Sequence, residues 1–175
     1  MLKFALIGAG RIGRMHGSII AGHTKTELVW VYDILEDNAI NTANTTQARV
    51  AKSLDEIFED DSLDAVLIAS STETHAELIV RAAKAGKAVF CEKPIDLDIK
   101  RVDWCREQIQ GLQVPVQIGF NRRFDPSHRK VADTARDGGI GNLEQVIITS
   151  RDPNPPPKEY YLAAGGMFRD MTIHD

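Results

Sequence analysis

The stretch ALIGAGRIG, residues 5–13, decides the fold. A short apolar run ends in Gly8, Gly10 and Gly13, spaced G-x-G-x-x-G, and an amphipathic pattern begins at Arg11. Alone the motif is a weak signal, because glycine turns also serve purely structural ends. Set between a strand and a helix, it gives each glycine a task. Gly8 allows the tight turn and Gly10 lets the backbone approach a pyrophosphate. Gly13 lets the helix pack closely, with the pyrophosphate on the helix N-terminus beside Arg11 and Ile12.

The next apolar run, LVWVYD, ends in Asp33, twenty residues beyond Gly13. Many aspartates simply open a loop there. At this distance from a glycine motif, a carboxylate also accepts hydrogen bonds from ribose hydroxyls and repels a 2′-phosphate, so the expected cofactor is NAD rather than NADP.

Outward from this core, short apolar runs alternate with amphipathic ones. Strands are expected at 2–7, 28–32, 65–70, 88–91 and 114–119, with a short one at 49–51. Helices are expected at 11–21, 37–45, 53–59, 74–85, 97–109 and 126–137. Strand–helix alternation of this kind gives βαβ units and a parallel sheet, so the fold class is α/β, a Rossmann doubly wound sheet over residues 1–119. SLDE at 53–56 matches a capping box, and Gly86 supplies a helix stop. After Gly119 the rhythm changes. One helix, a strand at 143–150, the proline run PNPPP at 153–157 and a last helix-like stretch read as the incomplete start of a second domain, 120–175. A lone strand cannot bury its own faces.

The 175 residues carry 43% hydrophobic and 26% charged residues, enough apolar material for a core and too much for a disordered chain. A net charge of −4, with basic residues scattered, excludes a nucleic-acid surface. No run approaches the roughly 20 apolar residues of a membrane span. The N-terminus runs straight into the glycine motif instead of a cleavage site, so a cytoplasmic protein is expected. Cys91 and Cys105 show neither a disulfide framework nor a metal-ligand spacing, and no metal site is expected.

In open parallel sheets ligands bind beyond the carboxyl ends of the strands. Two segments sit there. SSTETH, 70–75, offers Ser70, Thr72 and Thr74 as helix caps or cofactor contacts, with His75 as a cofactor neighbour or a satisfied helix-start histidine. EKPID, 92–96, places Glu92 and Lys93 before Pro94, where a surface lysine and a strand terminator are the ordinary reading, and both Glu92 and Lys93 are candidate cofactor contacts at this address.

The glycine motif, the T-x-T-H segment, EKP and the final GGMFRDMTIHD together resemble the family of glucose–fructose oxidoreductases and inositol dehydrogenases, over the whole chain. Within it, GFNRRFDP (119–126) and the last segment are most similar to the inositol 2-dehydrogenase branch. The resemblance implies oxidation of a secondary alcohol of a cyclic polyol, myo-inositol to the 2-keto product, with NAD as cofactor. It implies that Lys93 projects between nicotinamide and substrate, next to a cis peptide bond at Pro94. It makes Lys93, Asp170 and His174 catalytic, with Arg123 as a further substrate contact and Asn121 and Arg122 close by. Asp170 and His174 stand four apart, on one face if the segment is a continuous helix. Family members are about twice as long, so the resemblance implies a truncated chain and, at full length, a homo-oligomer. The alternatives are a dehydrogenase of another sugar or polyol, and a non-catalytic NAD-binding module.

Overall fold

The computed structural model describes residues 1–151, 154 and 165–174. They form two compact units, Met1–Gly119 and Phe120–Asp175.

In the first unit six strands form one parallel sheet: β1 (Leu2–Ile7), β2 (Thr26–Tyr32), β3 (Arg49–Val50), β4 (Ala65–Ile68), β5 (Ala88–Cys91) and β6 (Val116–Ile118). Their order is β3-β2-β1-β4-β5-β6. The chain winds outward from β1 in one direction and returns from β4 in the other, so the strand order reverses between β1 and β4. That is the switch point at which open α/β sheets hold ligands. The helices between the strands are α1 (Arg11–Gly22), α2 (Glu36–Thr46), α3 (Leu54–Phe58), α4 (Thr72–Lys84) and α5 (Ile99–Ile109).

Both faces of the sheet are buried, as βαβ crossovers require. Along β1 the side chains alternate. Ala5 and Ile7 join one core with Val66, Ile68, Ile79 and Cys105, while Leu6 joins the other with Ile20, Val31, Ala39 and Leu67. All four residues of β4 are buried. Cys91 and Cys105 are buried free thiols in the first of these cores, and burial pushes both thiols up from their ordinary pKa.

The capping box at α3 closes with a shift. Ser53 accepts the Glu56 N–H at 3.3 Å, but the Glu56 carboxylate takes the Lys52 N–H at 2.8 Å, one residue ahead of the cap. At α4 the helix starts at Thr72, two residues earlier than expected, and no side chain caps it. Thr74 Oγ1 instead donates to the Ser71 carbonyl, 2.7 Å away.

The second unit holds a 3-10 turn (Asn121–Phe124) and helix α6 (Pro126–Arg136). Pro126 takes the first position of α6, and Asp125 caps it by accepting the His128 N–H at 2.9 Å. The strand expected at 143–150 does not form: these residues join no ladder, and Leu143, Val146, Ile147 and Ile148 are exposed. A strand exists only through pairing, and among the described residues none pairs with this segment. The proline run at 153–157 lies outside the described residues apart from Asn154.

Candidate functional site

The glycine loop is built by close approach. Gly8 has φ +92°, and a Cβ there would collide with the Ser70 nitrogen and the Ala69 carbonyl, so only glycine fits. Its N–H donates to the Tyr32 carbonyl at 2.8 Å. A Cβ on Gly13 would strike the Gly8 carbonyl oxygen, while the nearest sheet-side atom, Ala69 Cβ, would be 3.7 Å away. The third glycine therefore fits α1 against the glycine loop rather than against the sheet. Gly10 differs. It is the N-cap of α1, makes no side-chain cap, and has nothing within 4 Å of a Cβ placed on it. Unsatisfied helix N–H groups facing open space suit an anionic pyrophosphate. Arg11 is exposed beside this opening and Ile12 is half-buried.

Asp33 follows the last residue of β2. Its Oδ2 accepts the Ala9 N–H at 2.6 Å, and its Oδ1 accepts the Leu35 N–H at 2.8 Å. The carboxylate thus ties the glycine loop to the start of α2 and still lines an adjoining cleft of about 440 Å³. The loop-opening role and the ligand-facing position coexist.

That cleft brings together Gly8, Gly10, Asp33 and Ser70. Thr74, one of the hydroxyls offered as a cofactor contact, also lines it, and Glu77, Leu78 and Arg81, which were not expected, continue the same face of α4, with Ile34 88% exposed among the lining residues. The spacing 74, 77, 78, 81 is the periodicity of a single helix face and is readable in the sequence. Arg81 is fixed there by Asp55, 2.6 Å away, with its guanidinium 4.5 Å from the centre of the Phe58 ring. Ser70 Oγ pairs with Thr74 Oγ1 at 2.7 Å. Thr72 is half-buried at the first turn of α4 and is not among the lining residues.

The second group of residues follows β5. The Lys93–Pro94 peptide is cis. Glu92 donates its N–H to the Ile68 carbonyl at 2.9 Å, which extends the β4–β5 pairing by one residue. His75, a candidate cofactor neighbour, is 2% exposed. Its Nδ1 lies 2.8 Å from the Pro94 carbonyl and its Nε2 3.0 Å from the Ser70 carbonyl. It joins the two loops that follow β4 and β5. His16, on α1, meets Glu92 at 2.8 Å and was missed in the sequence, because 76 residues separate the two. Burial pushes the Glu92 carboxyl up, but the hydrogen bond and charge of His16, with the N–H and charge of Lys93, outweigh it and hold Glu92 below its ordinary pKa.

Arg123, Asp170 and His174 belong to the second unit. Arg123 and Asn121 are exposed in the 3-10 turn, and Arg122 is half-buried. The segment with Asp170 and His174 is not one continuous helix. A four-residue helix, Met167–Asp170, ends at Met171, and a 3-10 turn, Thr172–His174, follows. Thr172 Oγ1 donates to the Phe168 carbonyl at 3.1 Å, a back-bond that bends helices, and β-branched Thr172 and Ile173 favour helix poorly. Both Asp170 and His174 are half-buried.

Residues 2–120 match the oxidoreductase family with an NAD-binding Rossmann fold. The chain belongs to this family. It is 47% identical to inositol 2-dehydrogenase of Rhizobium meliloti over 174 residues, covering 99% of this chain and 52% of that protein. The crystal structure of a myo-inositol dehydrogenase from Corynebacterium glutamicum matches with a TM-score of 0.93 at 47% identity, over 100% of this chain and 53% of the other. A scyllo-inositol dehydrogenase from Lactobacillus casei, solved with NAD(H) and scyllo-inositol, matches with a TM-score of 0.77 at 31% identity over 81% of this chain and 43% of the other. The chain spans about half the length of the relatives it matches.

Family membership makes this an oxidoreductase sequence with an NAD-binding Rossmann domain. Among the described residues no helix is long and apolar enough to cross a membrane, and no cluster of three or more histidines, cysteines, aspartates or glutamates could hold a metal.

Proposed function

We propose that the protein oxidises a secondary alcohol of a cyclic polyol, myo-inositol to its 2-keto product, with NAD as cofactor. The observation that carries this reading is the address of Lys93. It follows β5, at the carboxyl edge of a sheet whose glycine loop and Asp33 line one cleft, the address at which open α/β sheets hold dinucleotides. The identity to inositol 2-dehydrogenases along the whole chain supports the substrate class.

NAD, when bound, supplies the hydride acceptor. Gly8, Gly10 and Gly13, with Arg11 and Ile12, form the phosphate cradle, and Asp33 takes the ribose hydroxyls. Ser70 lines the same cleft at the end of β4, and Thr72, two residues on at the start of α4, is assigned to the cofactor by its place in the sequence. His174 removes the proton from the reacting hydroxyl, a role worth roughly 10²–10⁴ in rate. The Lys93 ammonium stabilises the alkoxide that forms on the same oxygen. Asp170 holds neighbouring hydroxyls, and Arg123 contacts the substrate. The second unit begins the domain that receives the polyol, and the full-length protein assembles as a homo-oligomer in the cytoplasm, where Cys91 and Cys105 stay reduced.

The test is NADH formation with myo-inositol, scyllo-inositol and an open-chain polyol of equal length. Oxidation of a cyclic polyol supports the reading. Oxidation of the open-chain polyol alone moves the substrate class, and oxidation of none refutes it.

A further inference from the structure

His16 and Glu92 stand in an arrangement that dinucleotide binding alone does not require. The carboxylate of Glu92 sits in a slot made by three elements. His16 on α1 meets its Oε1 at 2.8 Å. Phe90 on β5 packs edge-on against the His16 ring, with centroids 5.4 Å apart. Gly119, just past β6, leaves so little room that a Cβ would come within 3.3 Å of the Glu92 carboxyl carbon and 3.2 Å of Phe90. The side chains of His16 and Glu92 are only 17% and 21% exposed.

The other oxygen of the carboxylate turns back on its own chain. Glu92 Oε2 accepts the backbone N–H of Lys93 at 3.3 Å. One carboxylate therefore links the helix that follows the glycine loop to the peptide unit that carries the lysine. With both oxygens engaged, Glu92 is held in one orientation, and the lysine's backbone is held with it. Burial alone would push this carboxyl up, but His16 and Lys93 together outweigh it and hold Glu92 below its ordinary pKa.

We propose that His16 is a positioning residue for Lys93. It acts through Glu92: the imidazole fixes the carboxylate, and the carboxylate fixes the Lys93 peptide so that the ammonium meets the reacting oxygen. Gly119 bounds the same slot: a Cβ there would press the carboxylate and the Phe90 ring by a few tenths of an ångström. Glu92 is then a link in the protein's own framework rather than a cofactor ligand. This inference rests on the reading that Lys93 acts on the alkoxide.

Three variants in the full chain test it, with Lys93→Ala beside them. His16→Phe keeps an aromatic ring against Phe90 and removes the donor. His16→Gln keeps an N–H donor in a neutral side chain. Gly119→Ala crowds the carboxylate and leaves His16 intact. The expected result is a fall in kcat of about tenfold to a hundredfold for His16→Phe, the cost of a misplaced reacting group, and a smaller fall for Gly119→Ala. Kd for NADH stays at the parent value, and His16→Gln recovers most of the lost turnover. The carbon-13 NMR signal of Lys93 after isotopic methylation moves in His16→Phe and returns in His16→Gln, a readout independent of turnover.

An unmoved Lys93 signal with parental kcat in His16→Phe overturns the proposal. So does a joint loss of turnover and NADH binding that glutamine does not rescue, because it assigns His16 to the cofactor or to folding. If Lys93→Ala loses turnover while His16→Phe keeps it, only the coupling falls. If Lys93→Ala turns over normally, the functional reading falls and takes the coupling with it.

Discussion

Asp33 accepts the backbone N–H of Ala9 at 2.6 Å, so the residue expected to meet a ribose also holds the glycine loop in place. The two duties are separable by substitution. Asp33→Asn removes the charge and keeps one oxygen for the Ala9 N–H, while its amide nitrogen replaces the acceptor of the exposed Leu35 N–H, which water then satisfies. We expect near-parental stability and a clear loss of preference for NADH over NADPH. Asp33→Ala also leaves the Ala9 N–H without its acceptor, at a cost of about 1–3 kcal/mol. Fluorescence titrations with the two cofactors, alongside urea unfolding, check both. Equal losses for NADH and NADPH in Asp33→Asn would contradict the charge argument.

Gly8 and Gly10 are expected to respond in opposite ways. Gly8→Ala forces a Cβ into the Ala69–Ser70 backbone at a positive φ, and the fold should lose about 2 kcal/mol or more. Gly10→Ala meets nothing within 4 Å and should unfold within about 0.5 kcal/mol of the parent. Its added methyl fills the space proposed for a pyrophosphate, so NADH affinity should drop about tenfold or more, each tenfold being ~1.4 kcal/mol. Parental NADH binding by Gly10→Ala would place the phosphates elsewhere.

Asp60 supplies a pH signature of folding. Hydrogen bonds from Ser62 and from the Trp30 indole, 2.7 Å away, lower its pKa to about 2 against a small opposing effect of burial. A carboxyl depressed in the folded state adds stability above its unfolded pKa, and that stability disappears as pH falls from 3.8 to about 2. Allowing for solvent screening, the contribution is about 1 kcal/mol. Urea midpoints for the parent and Asp60→Asn should differ at pH 6 and converge at pH 2. A constant gap across that window would assign the effect to packing.

Arg81 separates stability from binding. Its ion pair with Asp55 is 43% and 70% exposed on the two sides, so Arg81→Ala should change folding free energy by no more than about 1 kcal/mol. Because Arg81 lines the same cleft as Asp33, the same variant should bind NADH more weakly. Unchanged NADH affinity would remove the α4 wall from the cofactor site.

The sheet was legible because its signals are local. The glycine motif, the apolar runs and the helix patterns each occupy a few consecutive residues, and β1 and β5 fall on the expected boundaries. What escaped was set by contacts distant in sequence. His16 reads as one polar residue on an amphipathic helix, and only the sheet brings it to Glu92. His75 looks like a helix-start residue, and its burial comes from the two loops it joins. The strand expected at 143–150 had the right composition but no pairing partner among the described residues. The break at Met171 goes with Thr172 and Ile173, whose poor helix preference is a weaker signal in the sequence than the regular four-residue spacing of Asp170 and His174.

The most direct test of the central claim is NADH formation from myo-inositol by the parent protein and by Lys93→Ala and His174→Ala, with NADH affinity measured on the same samples. The account expects the parent to oxidise the polyol and each variant to lose about 10²–10⁴ in kcat while binding NADH as the parent does. Near-normal turnover in either variant would contradict it.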